Sequence, residues 1–154
     1  MTTLAQELAK EAKMCQENGL VPVISPNVAQ SSEIEDSIEN SGKFWDLVFG
    51  MLRENDVCLE GIIFSPAFVR GASSNSTEMA EVTKKLLLAT VPKEVQTVNV
   101  RCDGLDESEA KMALQRMKFA VKYRNEKLPW NLSFAFGKVV TDNLVGSWMG
   151  LEEK

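Results

Sequence analysis

The sequence predicts an α/β fold in which about four parallel strands alternate with helices, and three observations carry that prediction. Short apolar runs end at Ser25, Ser65, Cys102 and Gly137, with successive spacings of 40, 37 and 35 residues, a period regular enough to mark a repeated strand–helix unit. Between the runs, apolar residues recur at helical spacing. The runs GLVPVI and GIIF are apolar throughout instead of alternating, as strands of a covered parallel sheet read.

The elements follow in order. Leu4, Leu8, Ala12 and Cys15 form the first helical face, and Asn18-Gly19 supplies the left-handed residue that commonly ends a helix. A strand over 20–24 comes next and stops at Ser25-Pro26. Phe44, Val48, Met51 and Leu52 line a second helix, ended by Asn55-Asp56, after which 57–64 reads as a strand closed by Ser65-Pro66. The polar loop GASSNS leads to a cap at Asn75–Glu78 and a helix carrying Met79, Val82, Leu86 and Ala89, closed by Pro92. A β-branched run from Thr97 to Arg101 makes the third strand. Asp106 with Glu109 forms a capping box ahead of Ala113, Met117, Ala120 and Val121. The fourth strand falls over 132–136, tipped by Gly137-Lys138, and a last helical segment runs through Leu144, Val145 and Trp148.

At 154 residues the chain has the length of one domain, 1–154, able to bury roughly 70% of its unfolded surface. Apolar residues at 44% and charged residues at 25% are ordinary, which argues against disorder and against a disulfide-dependent miniprotein. The longest uncharged runs are too short to cross a bilayer, so no membrane partner and a cytoplasmic chain without a cleaved leader are expected. A net charge of −5 and no basic stripe speak against nucleic acid. Cys15, Cys58 and Cys102 form no CxxC pair, and there is no histidine. That leaves no cofactor or metal site and no histidine-activated nucleophile, and the cysteines read as buried and reduced. Trp45, Trp130 and Trp148 read as core or interface, and Glu33, Glu35 and Asp36 as a solvated face.

In parallel α/β sheets function collects at the carboxyl ends of strands. The four tips, ISPN, FSPA, RCDG and FGKV, offer hydroxyls, one thiol, one carboxylate and one ammonium. The prolines stop their strands and bias the preceding serine to extended geometry, so backbone punctuation explains both Ser-Pro pairs without chemistry.

The segments LAKEAKMCQENGLVPVISPNV, VCLEGIIFSPAFV, ATVPKEV with GLDESEAKMAL, and LPWNLSFAFGKVV resemble, in this order, the stretches of class I fructose-bisphosphate aldolase that carry its fifth to eighth barrel strands. The likeness runs from about residue 4 to residue 150, with diverged loops after Val28 and Gly71. It implies half of a (βα)8 TIM barrel, since a whole barrel takes about 250 residues.

The resemblance also implies which positions matter. The family's Schiff-base lysine stands in the pattern L-E-G-x-x-x-K-P, and here that position is Ser65, whose hydroxyl forms no protonated imine. Its glutamates in V-E-P-E correspond to Ser25 and Asn27, and a lost general acid or base typically costs on the order of 10² to 10⁴ in rate. Of the phosphate-holding positions, Cys102 and Asp103, followed by Gly104, fill the first pair, and Gly137 and Lys138 the second. Lys138 keeps a charge without arginine's fork. Asp103 would repel an incoming dianion by roughly 4 kcal/mol at about 4 Å and an effective dielectric of 20. A replacement imine at Lys138 would need a depressed pKa, which a neighbouring Asp103 opposes, and Cys102 has no base to activate it.

The function this implies is a noncatalytic aldolase-like protein acting by self-association or by association with a second aldolase-like chain. The alternatives are a fructose-bisphosphate aldolase-type lyase or sugar-phosphate binder of glycolysis with residual activity, and a degenerate product of a truncated gene copy. The inward side of the sheet is expected to be apolar and therefore covered, by a second copy, by another chain supplying strands one to four, or by flattening into an open doubly wound sandwich.

Overall fold

A computed structural model describes residues 1–123 and 127–148. The order of elements is α1 (Thr2–Glu17), β1 (Val23–Ile24), α2 (Ile34–Glu54), a 3-10 turn (Leu59–Gly61), β2 (Ile63–Phe64), α3 (Ser76–Thr90), β3 (Thr97–Arg101), α4 (Glu107–Tyr123), β4 (Asn131–Ala135) and α5 (Gly137–Trp148). The four strands form one sheet in the order β1-β2-β3-β4, every pair parallel. Consecutive helices pack on one another, α1 on α2, α2 on α3 and α3 on α4. Strand order in a doubly wound sheet reverses at a switch point; this sequential order does not, and its crossovers place the helices on one face. The flattened sandwich is therefore not the arrangement adopted.

Three strand boundaries differ from expectation, each for a local reason. β1 begins at Val23 because Pro22 has no N–H to pair; its carbonyl instead accepts from Ile63 N at 3.0 Å. The stretch expected as strand over 57–64 is ladder only at its end. Its lead-in coils into the Leu59–Gly61 turn because Gln16 of α1 takes the backbone groups there. Gln16 Oε1 accepts from Cys58 N at 3.0 Å, and Nε2 donates to the carbonyls of Cys58 at 2.8 Å and Gly61 at 3.3 Å. β4 sits one residue earlier than read, because Asn131 N donates to Gln96 O at 2.8 Å.

The core lies between the sheet and the helices. Phe64 meets Trp45 edge-on at 5.6 Å and Phe49 at 4.8 Å between ring centroids, which places Phe64 on the helix-covered face. Its register partners Ile24, Val98 and Leu132 share that face, as do Val100 and Phe134 two residues on. On α1 the buried stripe is Ala5, Ala9 and Ala12, rotated from the predicted one, so that Leu4 is exposed and Leu8 only half-buried. Small residues there let α1 approach the bulky face of α2. On α3 the buried stripe is Met79, Ala80, Thr83, Lys84 and Leu87, while Ala89 is exposed. Trp45 and Trp130 are core, and Trp148 is exposed.

The opposite face overturns the expectation of an apolar inward side. Val23, Ile63, Thr97 and Asn131 lie level across the sheet, then Asn99 with Ser133, then Arg101 with Ala135. Two of these residues are large and aliphatic; most of the rest are polar. The runs read as apolar because the covered-face residues dominate them, whereas TVNVR alternates throughout and NLSFA alternates as far as Phe134.

Candidate functional site

The carboxyl ends of the strands are stitched together past the end of the regular ladder. Ser65 N donates to Ile24 O at 2.7 Å, Arg101 N to Pro66 O at 2.8 Å, Phe68 N to Arg101 O at 3.2 Å and Cys102 N to Ala135 O at 3.2 Å. Every tip is therefore held by its neighbour. The loops that follow β1 and β2 also close on each other: Arg70 N donates to Gln30 Oε1 at 2.9 Å and Ala72 N to Ser32 O at 2.9 Å. Gly71 permits that approach, because a Cβ there would lie 2.8 Å from Ile34 N. A cleft of about 380 Å³ lined by Gln30, Ser31, Ser32, Arg70 and Gly71 opens between them. The second loop is anchored from below, where Thr83 Oγ1 accepts from Val69 N at 2.9 Å.

Ser65 is 2% exposed, and its hydroxyl donates to Asn99 O at 3.0 Å. That bond ties the tip of β2 to β3 and leaves a neutral alcohol where the resemblance places an amine. Ser25 is half-buried just past β1, and Asn27 is exposed. Asn27 Oδ1 accepts from Arg101 Nη2, so a side chain from β3 spans the end of β2 to reach the loop after β1. Arg101 Nε also lies 3.4 Å from Asp103 Oδ2, near enough for charge attraction yet too poorly aligned for a hydrogen bond, and Nε is buried without one. Asp103 is thereby paired with an arginine; the lysine expected beside it, Lys138, lies in the first turn of α5 with its side chain outside the described residues.

Cys102 continues the covered side of β3, after Val98 and Val100, and is 1% exposed within the core. Burial, reinforced by the nearby Asp103 carboxylate, pushes its thiol up to about 11, which keeps it protonated and inert at neutral pH. Gly104 adopts a left-handed backbone with φ of +73°, its carbonyl accepts from Arg70 Nη1 at 2.8 Å, and a Cβ there would sit 2.7 Å from Arg70 Nη2. Gly137 opens α5 and has space around it.

The two arginines are the residues that sequence reading missed. The alternation in TVNVR was the available signal, since it sends Thr97, Asn99 and Arg101 to the uncovered face. Chemically the assembled tips provide a permanently charged guanidinium, two amide-type or hydroxyl hydrogen-bonding groups and one paired carboxylate. A guanidinium is never free of its proton, so it does not add to a carbonyl, and an asparagine carries no proton to transfer. The arrangement holds anions better than it moves protons. Among the described residues, no group of three cysteine, aspartate or glutamate side chains gathers in a metal-binding cluster, and no helix is long and apolar enough to cross a membrane.

A family model described as fructose-bisphosphate aldolase class-I matches residues 1–154. The chain is 35% identical over 153 residues to the chloroplastic fructose-bisphosphate aldolase 2 of Pisum sativum, covering 95% of this chain and 42% of that one. It is 32% identical over 155 residues to the cytoplasmic isozyme of Spinacia oleracea, covering 97% and 42%. In structure it superposes on fructose-bisphosphate aldolase from Plasmodium falciparum, solved in complex with TRAP and a small-molecule inhibitor. That match has a TM-score of 0.80 at 28% identity and covers 96% of this chain and 43% of the other. The chain thus spans roughly two-fifths of the length of these relatives.

Proposed function

The chain belongs to the class-I fructose-bisphosphate aldolase family, and from that premise we propose that it lacks the family's carbon–carbon lyase chemistry and acts by association. One observation carries the reading: Ser65, at the position where the family pattern has its imine-forming lysine, is buried and donates its hydroxyl to Asn99 O. Without an imine there is no electron sink for cleavage. Asn27, at one of the two glutamate positions, is held by Arg101 and supplies no proton. Sugar phosphate binds at most weakly, because Cys102 is buried away from the surface and Asp103 is acidic.

Association is supported by the sheet itself. Among the described residues β1 pairs with β2 alone and β4 with β3 alone, so both edges keep unpaired backbone groups. Leu20 and Val21 beside the β1 edge are each 62% exposed. A second copy or an aldolase-like chain, meeting this one in the cytoplasm, pairs with those edges.

Borohydride reduction in the presence of fructose bisphosphate tests the chemistry; the expected result is no covalent adduct, and an adduct or sugar cleavage by the pure chain overturns it. Light scattering at micromolar concentration tests the association, where a mass above that of one chain is expected. A clean monomer of 17.1 kDa sinks that part.

A further inference from the structure

We propose that the turn after β3 binds a small monoanionic carboxylate, held jointly by Arg101 and Arg70. Arg101 turns one edge of its guanidinium, Nε with Nη2, toward Asp103 and Asn27. Its remaining nitrogen, Nη1, takes no acceptor among the described residues and is not a buried atom. Arg70 arrives at the same turn from the loop after β2. Its Nη1 donates to Gly104 O, and its Nη2 lies close to Gly104, 2.7 Å from where a Cβ would stand. Nη2 and Nε of Arg70 likewise take no acceptor and stay accessible. Two guanidinium groups therefore flank the dipeptide Asp103–Gly104, each with donors unspent.

Charge decides the class of ligand. Within the turn two arginines bring two positive charges and Asp103 removes one. Just beyond it Asp106 and Glu109 cap the positive end of α4 and Glu107 pairs with Lys111, so one charge is left at the turn to neutralise. A carboxylate supplies it, and its flat pair of oxygens matches donors presented in a plane. A phosphate dianion brings one charge too many, and Asp103 repels it. The Arg101–Asn27 contact is too exposed to account for the arginine by stability alone. Neither arginine bears on imine formation, so this binding and the trapping experiment report on separate claims.

Titration of the 154-residue chain with acetate, followed through the arginine Nε–H resonances by NMR, tests the site. Saturable shifts of the Arg70 and Arg101 signals are expected, with a dissociation constant on the order of millimolar and about tenfold weaker binding in each of Arg101→Gln and Arg70→Gln. Inorganic phosphate at about pH 8, where it is dianionic, should bind several-fold more weakly than acetate. Shifts that never saturate, an affinity unchanged in both variants, or phosphate binding tighter than acetate would each overturn the assignment. A thermal melt of each variant separates loss of the site from loss of the fold. Should either glutamine variant unfold, Arg101→Lys and Arg70→Lys keep the charge without the planar fork, and unchanged acetate affinity in both counts against the proposal.

Discussion

On one side of the sheet, Ile24, Phe64, Val98 and Val100 are buried, with the rings of Trp45 and Phe49 packed on Phe64. On the other, Ser65, Asn99, Arg101 and Ser133 face away from the helices; the Ser65 hydroxyl bonds to backbone and Arg101 reaches the loop after β1, while Asn99 Oδ1 is buried without a partner among the described residues. Fold and chemistry thus occupy opposite faces of the same strands. A chain can lose every reactive group on the second face while keeping the packing of the first, because successive residues of a strand answer to different neighbours. That separation would let a family fold persist with a serine where the resemblance places the imine-forming lysine.

The sharpest way to break this comparison is to cut into the covered face. Phe64→Ala removes the ring that Trp45 and Phe49 pack against and is expected to cost about 3–5 kcal/mol in urea unfolding. A loss under about 1 kcal/mol would mean that the stability lies elsewhere. Cys102, buried on the same side, should be alkylated by iodoacetamide on the order of a hundredfold more slowly in the native chain than in urea at about pH 8. The sign follows from the raised thiol pKa. Folded, the thiol keeps its proton to about 11, while the unfolded chain ionises in the ordinary thiol range. Stability is therefore untouched at neutral pH and falls as pH climbs between those values, which a series of melts would show.

Smaller effects are expected away from the covered face. Asn75 Oδ1 accepts from the backbone N–H groups of Thr77 and Glu78, both at 3.0 Å, so Asn75→Ala should lower stability by about 1 kcal/mol. Least of all should change at Ser133, exposed on the uncovered face: Ser133→Ala should stay within about 0.5 kcal/mol in dilute solution. If the effect of Ser133→Ala grows with protein concentration, this face is buried in an assembly, and the contrast sharpens from covered against open into two kinds of cover.

Much of the covered face was legible in the sequence, since it depends on near neighbours and on periodicity. The Asn75 cap and the Asp106–Glu109 capping box, in which Glu109 N donates to Asp106 Oδ1 at 2.8 Å and Asp106 N to Glu109 Oε2 at 3.2 Å, are local patterns and form as read. The site was legible only as substitutions. That Ser65 stands where the resemblance places an amine is read from the motif; that Arg101 reaches Asn27 is not, because those residues are 74 positions apart. The apolar runs misled for a physical reason as well: a window of five residues averages two faces that the folded sheet keeps apart.

Gln16 carries a consequence for how the molecule comes apart. Its one amide stands in for a neighbouring strand, holding the approach to β2 from 42 residues away. Hydrogen exchange at Cys58 should therefore keep time with fraying at the end of α1, so that the lead-in to the second strand opens with the amino-terminal helix.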